Sequence, residues 1–377
     1  MPEFIGQLPI SEPAWNSIAS VQSFQSYDRE IHFDCGNNSL LILTILANNL
    51  IRVRFSPTQE FTPRRSWAVN SPDTEWNAVN FDIQSTDAQI IIETEKIKVC
   101  VQRNPCQIKC FDKAGNPFAH DTGLGIASRK DEIANWKEIT PQEKFYGFGE
   151  RSGLLNQRGK VLTNWTTDSL DYTMLTDEMY QAIPFFMSLR PNVGYDLFFN
   201  TTFWSQFDVG ADDINTMLLK TKDSQLDYYI IYGSEPAIIL ETYTQLTGRM
   251  PLPPRWALGY HQCRWSYNSE AEVRELVGQF RKRRIPCDVV HLDIDYMQGF
   301  RVFTWNKQRF PSPKMLIEDL SQQGIKVVNI IDPGVKFDPE ASYQVCDEGL
   351  EKDYFICREN GKVFHGYVWP DRAIFPD

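Results

Sequence analysis

The sequence predicts an N-terminal β-sandwich followed by a parallel βα domain, with the division at residues 249–255. Three observations predict this fold class. Short runs of two-residue apolar alternation fill the chain to about residue 233, with almost no helical periodicity among them. The segment RMPLPPR (249–255) then places three prolines in seven positions, and proline both removes a backbone donor and drives the residue before it into an extended form. Beyond that segment the pattern becomes strand, helix, strand, helix, strand, as in serial βα units.

The sandwich elements follow in order. In LLILTILANNLIRVRF (40–55), Ile51, Val53 and Phe55 alternate with Arg52 and Arg54, the period of a half-buried strand, and Asn48-Asn49 supplies a hairpin turn. Ile97, Val99 and Val101 alternate with Lys96, Lys98 and Cys100, and Ala114-Gly115-Asn116-Pro117 makes a turn soon after. Further β-rich runs lie at 183–189, 195–200, 216–221 and 226–232. A helix is expected over 235–247, with Ser234 as N-cap, Pro236 in the first turn and Gly248 just past the end. It closes a first domain, 1–248, that the linker 249–255 separates from a second, 256–377.

In the second domain Trp256 to Gln262 reads as the first strand, and Ser269-x-x-Glu272 is a capping box that opens a helix to about Arg284. Cys287 to Ile294 is a nearly continuous apolar run, suited to a strand covered on both faces. Ser312-Pro313 opens another helix as N-cap and N1, Gly324 ends it, and Ile325 to Ile331 is the third strand. Right-handed βαβ units in series imply either a doubly wound sheet or a barrel. The cluster Arg281-Lys282-Arg283-Arg284 falls in a last helical turn, where cations complement the helix dipole, so it reads as a helix end and not as an anion patch.

Composition excludes several classes of partner. With 38 Lys and Arg against 49 Asp and Glu the net charge is −11, which repels nucleic acid. No run approaches the roughly 20 apolar residues of a membrane span. The start MPEFIGQLPISEPAW has neither a basic nor an apolar leader region, so no membrane partner is expected and the chain reads as cytoplasmic. Eight cysteines without a Cys-x-x-Cys pair read as buried thiols. Most of the aromatic residues serve the core, but the ten tryptophans also offer flat apolar walls to a ligand.

In parallel βα architectures chemistry collects at the strand ends. The first strand runs into His261, Arg264 and Trp265, the second into His291, Asp293 and Asp295, and the third into Asp332, Pro333 and Gly334. His291, Asp293 and Asp295 share one strand face. Three readings compete for these carboxylates. They cap the following turns or pair with Arg264; or His-x-Asp-x-Asp holds a metal; or they accept hydrogen bonds from a neutral polyhydroxylated ligand whose C–H face stacks on Trp265 and Trp369.

A set of longer blocks carries a resemblance: FYGFGER (145–151), YQAIPFFMS (180–188), PPRWALGYHQCRWSY (253–267), HLDIDYM (291–297), FTWNKQRFPSPK (303–314), KVVNIIDPGVK (326–336) and VWPDRAIFPD (368–377). In this order they resemble glycoside hydrolase family 31, the retaining α-glucosidases, over nearly the whole chain. The resemblance implies a galactose-mutarotase-like sandwich, then the first three βα units of a (β/α)8 TIM barrel. It also implies no metal or organic cofactor, and release of terminal glucose from α-linked glucose oligosaccharides; other family members cleave α-xylosides or transfer sugar. Carried over block by block, Trp265, Asp293, Ile330, Asp332 and Trp369 line the pocket for the non-reducing glucose, with Asp293 accepting its outer hydroxyls. Asp168, in NWTTDSLDY, reaches the neighbouring sugar.

A retaining glycosidase needs two carboxyl groups about 5–5.5 Å apart. The family carries its nucleophile in a Trp-x-Asp-Met-Asn-Glu block on the fourth barrel strand and its acid on a later one. No such block occurs up to Asp377. The expectation is therefore a truncated barrel with the nucleophile and the general acid beyond residue 377, no catalytic residue of its own, and a non-catalytic carbohydrate-binding role as the alternative.

Overall fold

Leu40–Ala47 and Leu50–Ser56 pair antiparallel across Asn48-Asn49, with Ile51, Val53 and Phe55 buried and Arg52 and Arg54 on the half-buried face. This is the hairpin that the alternation predicts. In the computed structural model, which describes residues 14–377, the hairpin lies inside an eight-stranded antiparallel sheet whose other members include Phe185–Arg190, Val193–Phe199 and Leu226–Gly233. A six-stranded sheet contains Asp121–Arg129, Glu132–Glu138, Ser205–Val209 and Thr216–Thr221, and a five-stranded sheet is centred on Ile97–Arg103 and Cys106–Asp112. One buried cluster draws Val53 and Tyr228 from the first sheet, Ile126, Phe207 and Leu219 from the second, and Val99 and Ile108 from the third. The sandwich thus has three sheets around one core.

A buried ion pair sits where the three sheets meet. Lys137 Nζ lies 2.7 Å from Asp121 Oδ1, and neither side chain has any exposed surface. Asp121 also accepts from Asn135 Nδ2 at 2.9 Å and from the backbone N–H of Ile108 at 2.7 Å, while Lys137 donates to Tyr228 Oη at 3.2 Å. Burial acts to strip Lys137 of its proton, but the charge and hydrogen bond of Asp121, with Tyr228, hold the ammonium above its ordinary range.

Helix α1 (Pro236–Thr247) covers the eight-stranded sheet, burying Ile239 and Leu246 against Leu50, Phe198 and Ile231. Its N-cap is Glu235, one residue after the predicted Ser234, with no side-chain cap, and Pro236 in the first turn leaves one fewer N–H to satisfy. Gly248 ends the helix at φ +97°, and the chain divides into two units after Arg249.

The second unit contains three parallel strands in sequential order, His261–Gln262, Val289–Leu292 and Lys326–Asn329. All three are shorter than predicted. Arg255–Leu258 is a 3-10 turn started by Pro254, whose carbonyl accepts from Ala257, so the first strand cannot begin at Trp256. The second ends at Leu292 because Asp293 caps another 3-10 turn, Ile294–Tyr296.

Helix α2 (Glu270–Lys282) starts as predicted: Ser269 Oγ accepts from the N–H of Glu272 at 3.3 Å, and Glu272 returns the bond to the N–H of Asn268. At its other end Arg281 donates to the carbonyls of Cys287 and Gln323, which ties the basic cluster into the fold. Helix α3 (Pro313–Gln322) follows Ser312 without a side-chain cap, and Gly324 leaves it at φ +75°. Val277, Val290, Leu292, Phe310, Leu316 and Leu320 form this unit's core. Helix α4 (Gln344–Glu351) and an antiparallel sheet of Val335–Lys336, Asp371–Ile374 and His365–Val368 complete it. Six cysteines are buried thiols, but Cys263 and Cys357 are exposed.

Two predictions follow from these contacts. Lys137→Met should destabilise the chain by about 3–5 kcal/mol, because it leaves the Asp121 carboxylate buried and unpaired; urea unfolding measures this, and Lys137→Met combined with Asp121→Leu should recover part of the loss. Brief trypsin treatment should cut first at Arg249 and Arg255, in the exposed linker, and leave an N-terminal fragment that mass spectrometry places at one of these arginines.

Candidate functional site

The second and third parallel strands end in carboxylates. Asp293 follows Leu292, and its Oδ1 accepts from the N–H of Ile294 at 2.7 Å, so one oxygen fixes the turn and the other remains for a ligand. The third strand hands on to Ile330, whose N–H donates to the Leu292 carbonyl at 3.0 Å and whose carbonyl accepts from Tyr296 Oη at 2.9 Å. Two residues later comes Asp332. Burial raises its carboxyl above the ordinary carboxylate range, and the negative charge of Asp293 raises it further. Asp293 and Asp332 are thus brought together, as strand-end reasoning predicts.

Trp265 follows the first strand and is 72% exposed. Its indole Nε1 donates to Asp295 Oδ2 at 3.0 Å, and Asp295 Oδ1 takes a 3.3 Å bond from Arg309. Asp295 therefore orients an aromatic wall, and its cationic partner is Arg309 and not Arg264. His291 turns to His261, with Nε2 3.1 Å from Nδ1 of that ring, and burial together with His261 lowers its pKa. Among the described residues no three His, Cys, Asp or Glu side chains are grouped as a metal set.

Trp369 occupies the two-residue turn between His365–Val368 and Asp371–Ile374 and is 66% exposed. The second of these strands pairs with Val335–Lys336, just after the Asp332 loop. Gly334 allows the close approach: a Cβ there would lie 2.7 Å from Val368 Cγ2. The backbone that delivers Asp332 therefore abuts the hairpin that carries Trp369.

Asp168 lies in the first unit, exposed, on a loop beside the hydroxyl of Tyr180. The FYGFGER block anchors this loop. Arg151 donates to the Asp177 carboxylate at 2.8 Å, to the Thr163 carbonyl at 2.7 Å and to Asn164 Oδ1 at 3.0 Å. Gly149 has φ +81°, and a Cβ there would come within 2.3 Å of the Gln181 carbonyl, so only glycine fits. Sequence reasoning missed Tyr296, Arg309 and Arg151. For Arg309 the available signal was a cation in a block that follows an acidic strand end.

Comparisons with known proteins identify the family. Residues 250–377 match the glycosyl hydrolases family 31 TIM-barrel domain, and residues 40–208 match the glycosyl hydrolase 31 N-terminal galactose mutarotase-like domain. The chain belongs to glycoside hydrolase family 31. It is 38% identical over 362 residues to alpha-glucosidase 2 of Bacillus thermoamyloliquefaciens, covering 96% of this chain and 45% of that protein. It is 33% identical over 264 residues to an alpha-glucosidase of Saccharolobus solfataricus, covering 70% and 38%. A family 31 dextranase of Flavobacterium johnsoniae, solved with isomaltotriose, superimposes with a TM-score of 0.89 at 29% identity, covering 96% of this chain and 44% of that one. The chain thus spans less than half the length of these relatives. No helix among the described residues is long and apolar enough to cross a membrane.

The Asp293–Asp332 coupling has a measurable consequence. Asp332 should titrate above the ordinary carboxylate range in a carboxyl 13C NMR titration, and Asp293→Asn should bring it down part of the way, leaving the contribution of burial. Because the folded state holds this proton longer than the unfolded chain, the group's contribution to stability falls as pH rises through the window between the ordinary and the raised value. A titration unchanged by Asp293→Asn would show that the two carboxyls do not interact.

Proposed function

We propose that this chain carries the sugar-recognition part of a retaining exo-α-glucosidase. The observation that carries the reading is the pair Asp293 and Asp332 at adjacent strand ends, with exposed Trp265 and Trp369 on the flanking segments. Carboxylates are acceptors only and suit the hydroxyls of a neutral pyranose, while indole faces suit its C–H surface. Ile330, partly exposed two residues before Asp332, supplies an apolar edge.

The reaction itself requires a nucleophile that attacks the anomeric carbon and an acid that protonates the leaving oxygen, after which water hydrolyses the glycosyl-enzyme with retention. The family block that carries the nucleophile is absent from the 377 residues. The 377-residue chain expressed alone should therefore leave maltose intact in a glucose-release assay. The full reading frame, given maltose, should release α-glucose first, as followed by NMR; β-glucose as first product, or no cleavage of any α-glucoside, would overturn the assignment. In that full-length enzyme Asp332→Asn should lower kcat/KM by about ten- to a hundredfold, the worth of one hydrogen bond to a charged acceptor at ~1.5–3 kcal/mol.

A further inference from the structure

An aromatic platform serves a ligand best when its ring is held before the ligand arrives. Trp265 is 72% exposed, so packing against neighbours does not fix it. An indole left to turn in water has to be immobilised when sugar binds, and that ordering costs affinity. The bond from Trp265 Nε1 to Asp295 Oδ2 supplies the restraint that packing does not. An indole N–H lies in the plane of the ring, so this bond pins one edge and occupies neither stacking face.

Asp295 can orient the ring only if its own carboxylate is held, because the terminal torsion of an aspartate is broad. Its other oxygen, Oδ1, takes the 3.3 Å bond from Arg309 Nη1. With its two oxygens on two different partners, the carboxylate plane is set, and Oδ2 stays directed at the indole.

Arg309 is itself fixed through its main chain. Its N–H donates to Asn306 Oδ1 at 3.1 Å, and its carbonyl accepts from the N–H of Glu270, the first residue of α2, at 2.9 Å. Asn306 in turn donates its N–H to the carbonyl of Tyr296, the residue after Asp295, at 2.8 Å. These contacts close a ring: from Trp265 along the chain to Glu270, across to Arg309, through its guanidinium to Asp295 and back to the indole. Among the described residues the guanidinium has no other hydrogen-bond or ion-pair partner. The main-chain bonds at Arg309 do not depend on its side chain, so removing the guanidinium takes away the support of Asp295 and leaves the turn in place.

We propose that Arg309 is a positioning residue for sugar recognition, holding Asp295 so that Asp295 holds the Trp265 ring ready to stack. The ligand class rests on the α-glucosidase reading above; the relay itself rests on the hydrogen bonds alone.

In the full-length enzyme with maltose, Arg309→Ala should raise KM about three- to tenfold, the cost of immobilising one freed side chain on binding. It should leave kcat nearly unchanged, since a stack made in ground and transition states alike is uniform binding. Arg309→Lys keeps the charge and should recover part of the loss, and in a Trp265→Ala background Arg309→Ala should add nothing further. In the 377-residue chain labelled with 5-fluorotryptophan, Arg309→Ala should shift the 19F resonance of Trp265, assigned with Trp265→Phe, and leave the other tryptophan resonances in place. An unchanged KM, a KM effect of the same size with and without Trp265, or a Trp265 resonance that does not move would overturn the relay. A change spread over all the tryptophan resonances would show that Arg309 supports the fold at large, and would overturn it equally. If the full-length enzyme cleaves no α-glucoside, the glycosidase reading fails, and the 19F comparison still decides the relay by itself.

Discussion

The Lys137–Asp121 pair is the constraint around which the sandwich is organised. An ion pair with no solvent contact costs several kcal/mol per ion to desolvate and is stable only when its remaining valences are filled. Here the filling groups come from all three sheets: Asn135 from the strand of Lys137, the backbone of Ile108 from the five-stranded sheet, and Tyr228 from the eight-stranded sheet. Apolar side chains such as Val99 and Phe207 could pack in several relative placements of the sheets. The polar node allows only the one in which all these partners arrive together, so it sets the relative placement of the sheets while hydrophobic burial supplies most of the driving force.

In the second unit a different device sets the geometry. The strands are only two to four residues long, and each gives way early to a segment that carries a side chain of the candidate site. Asp293 illustrates the economy of this: one oxygen ends the strand by capping Ile294, and the same bond fixes the carboxylate for a ligand. Trp265 is held through Asp295, which is held in turn by Arg309. The site is therefore supported by hydrogen bonds one layer out, which is what a recognition site needs to keep its tolerances.

Local patterns were legible in the sequence and long-range ones were not. The 40–55 hairpin, the 249–255 division and the start of α2 each depend on a few neighbouring residues, and the alternation, the prolines and Ser269-x-x-Glu272 announce them. Strand-end logic also anticipated the convergence of Asp293 and Asp332, since parallel register carries both to one edge. The 3-10 turn at Arg255–Leu258 was hidden because Trp256, Ala257 and Leu258 look like strand residues until Pro254 imposes its turn. The pairing of Val335 with Ile374, which places the Trp369 hairpin, and the meeting of segments 61–68 and 198–205 around a cleft join residues far apart in sequence, where periodicity carries no information. The sugar-facing roles proposed for these residues rest on the ordered family blocks.

Two carboxylates at adjacent strand ends invite the assumption that they are the reacting pair, but the family resemblance assigns both to substrate hydroxyls and carries its nucleophile in a block not found in this sequence. Asp293 commits one oxygen to the N–H that ends its strand and keeps the other for a ligand. Asp332 is partly buried and raised by its neighbour's charge, which means that the unliganded arrangement stores like-charge repulsion. Neutral hydroxyl donors placed between the two relieve it, because each carboxylate then gains a hydrogen bond in place of facing another negative charge. In the proposed pocket the sugar is the species that supplies such donors on a rigid ring, so the repulsion between Asp293 and Asp332 becomes a source of selectivity for a polyhydroxylated ligand over an apolar one of the same shape.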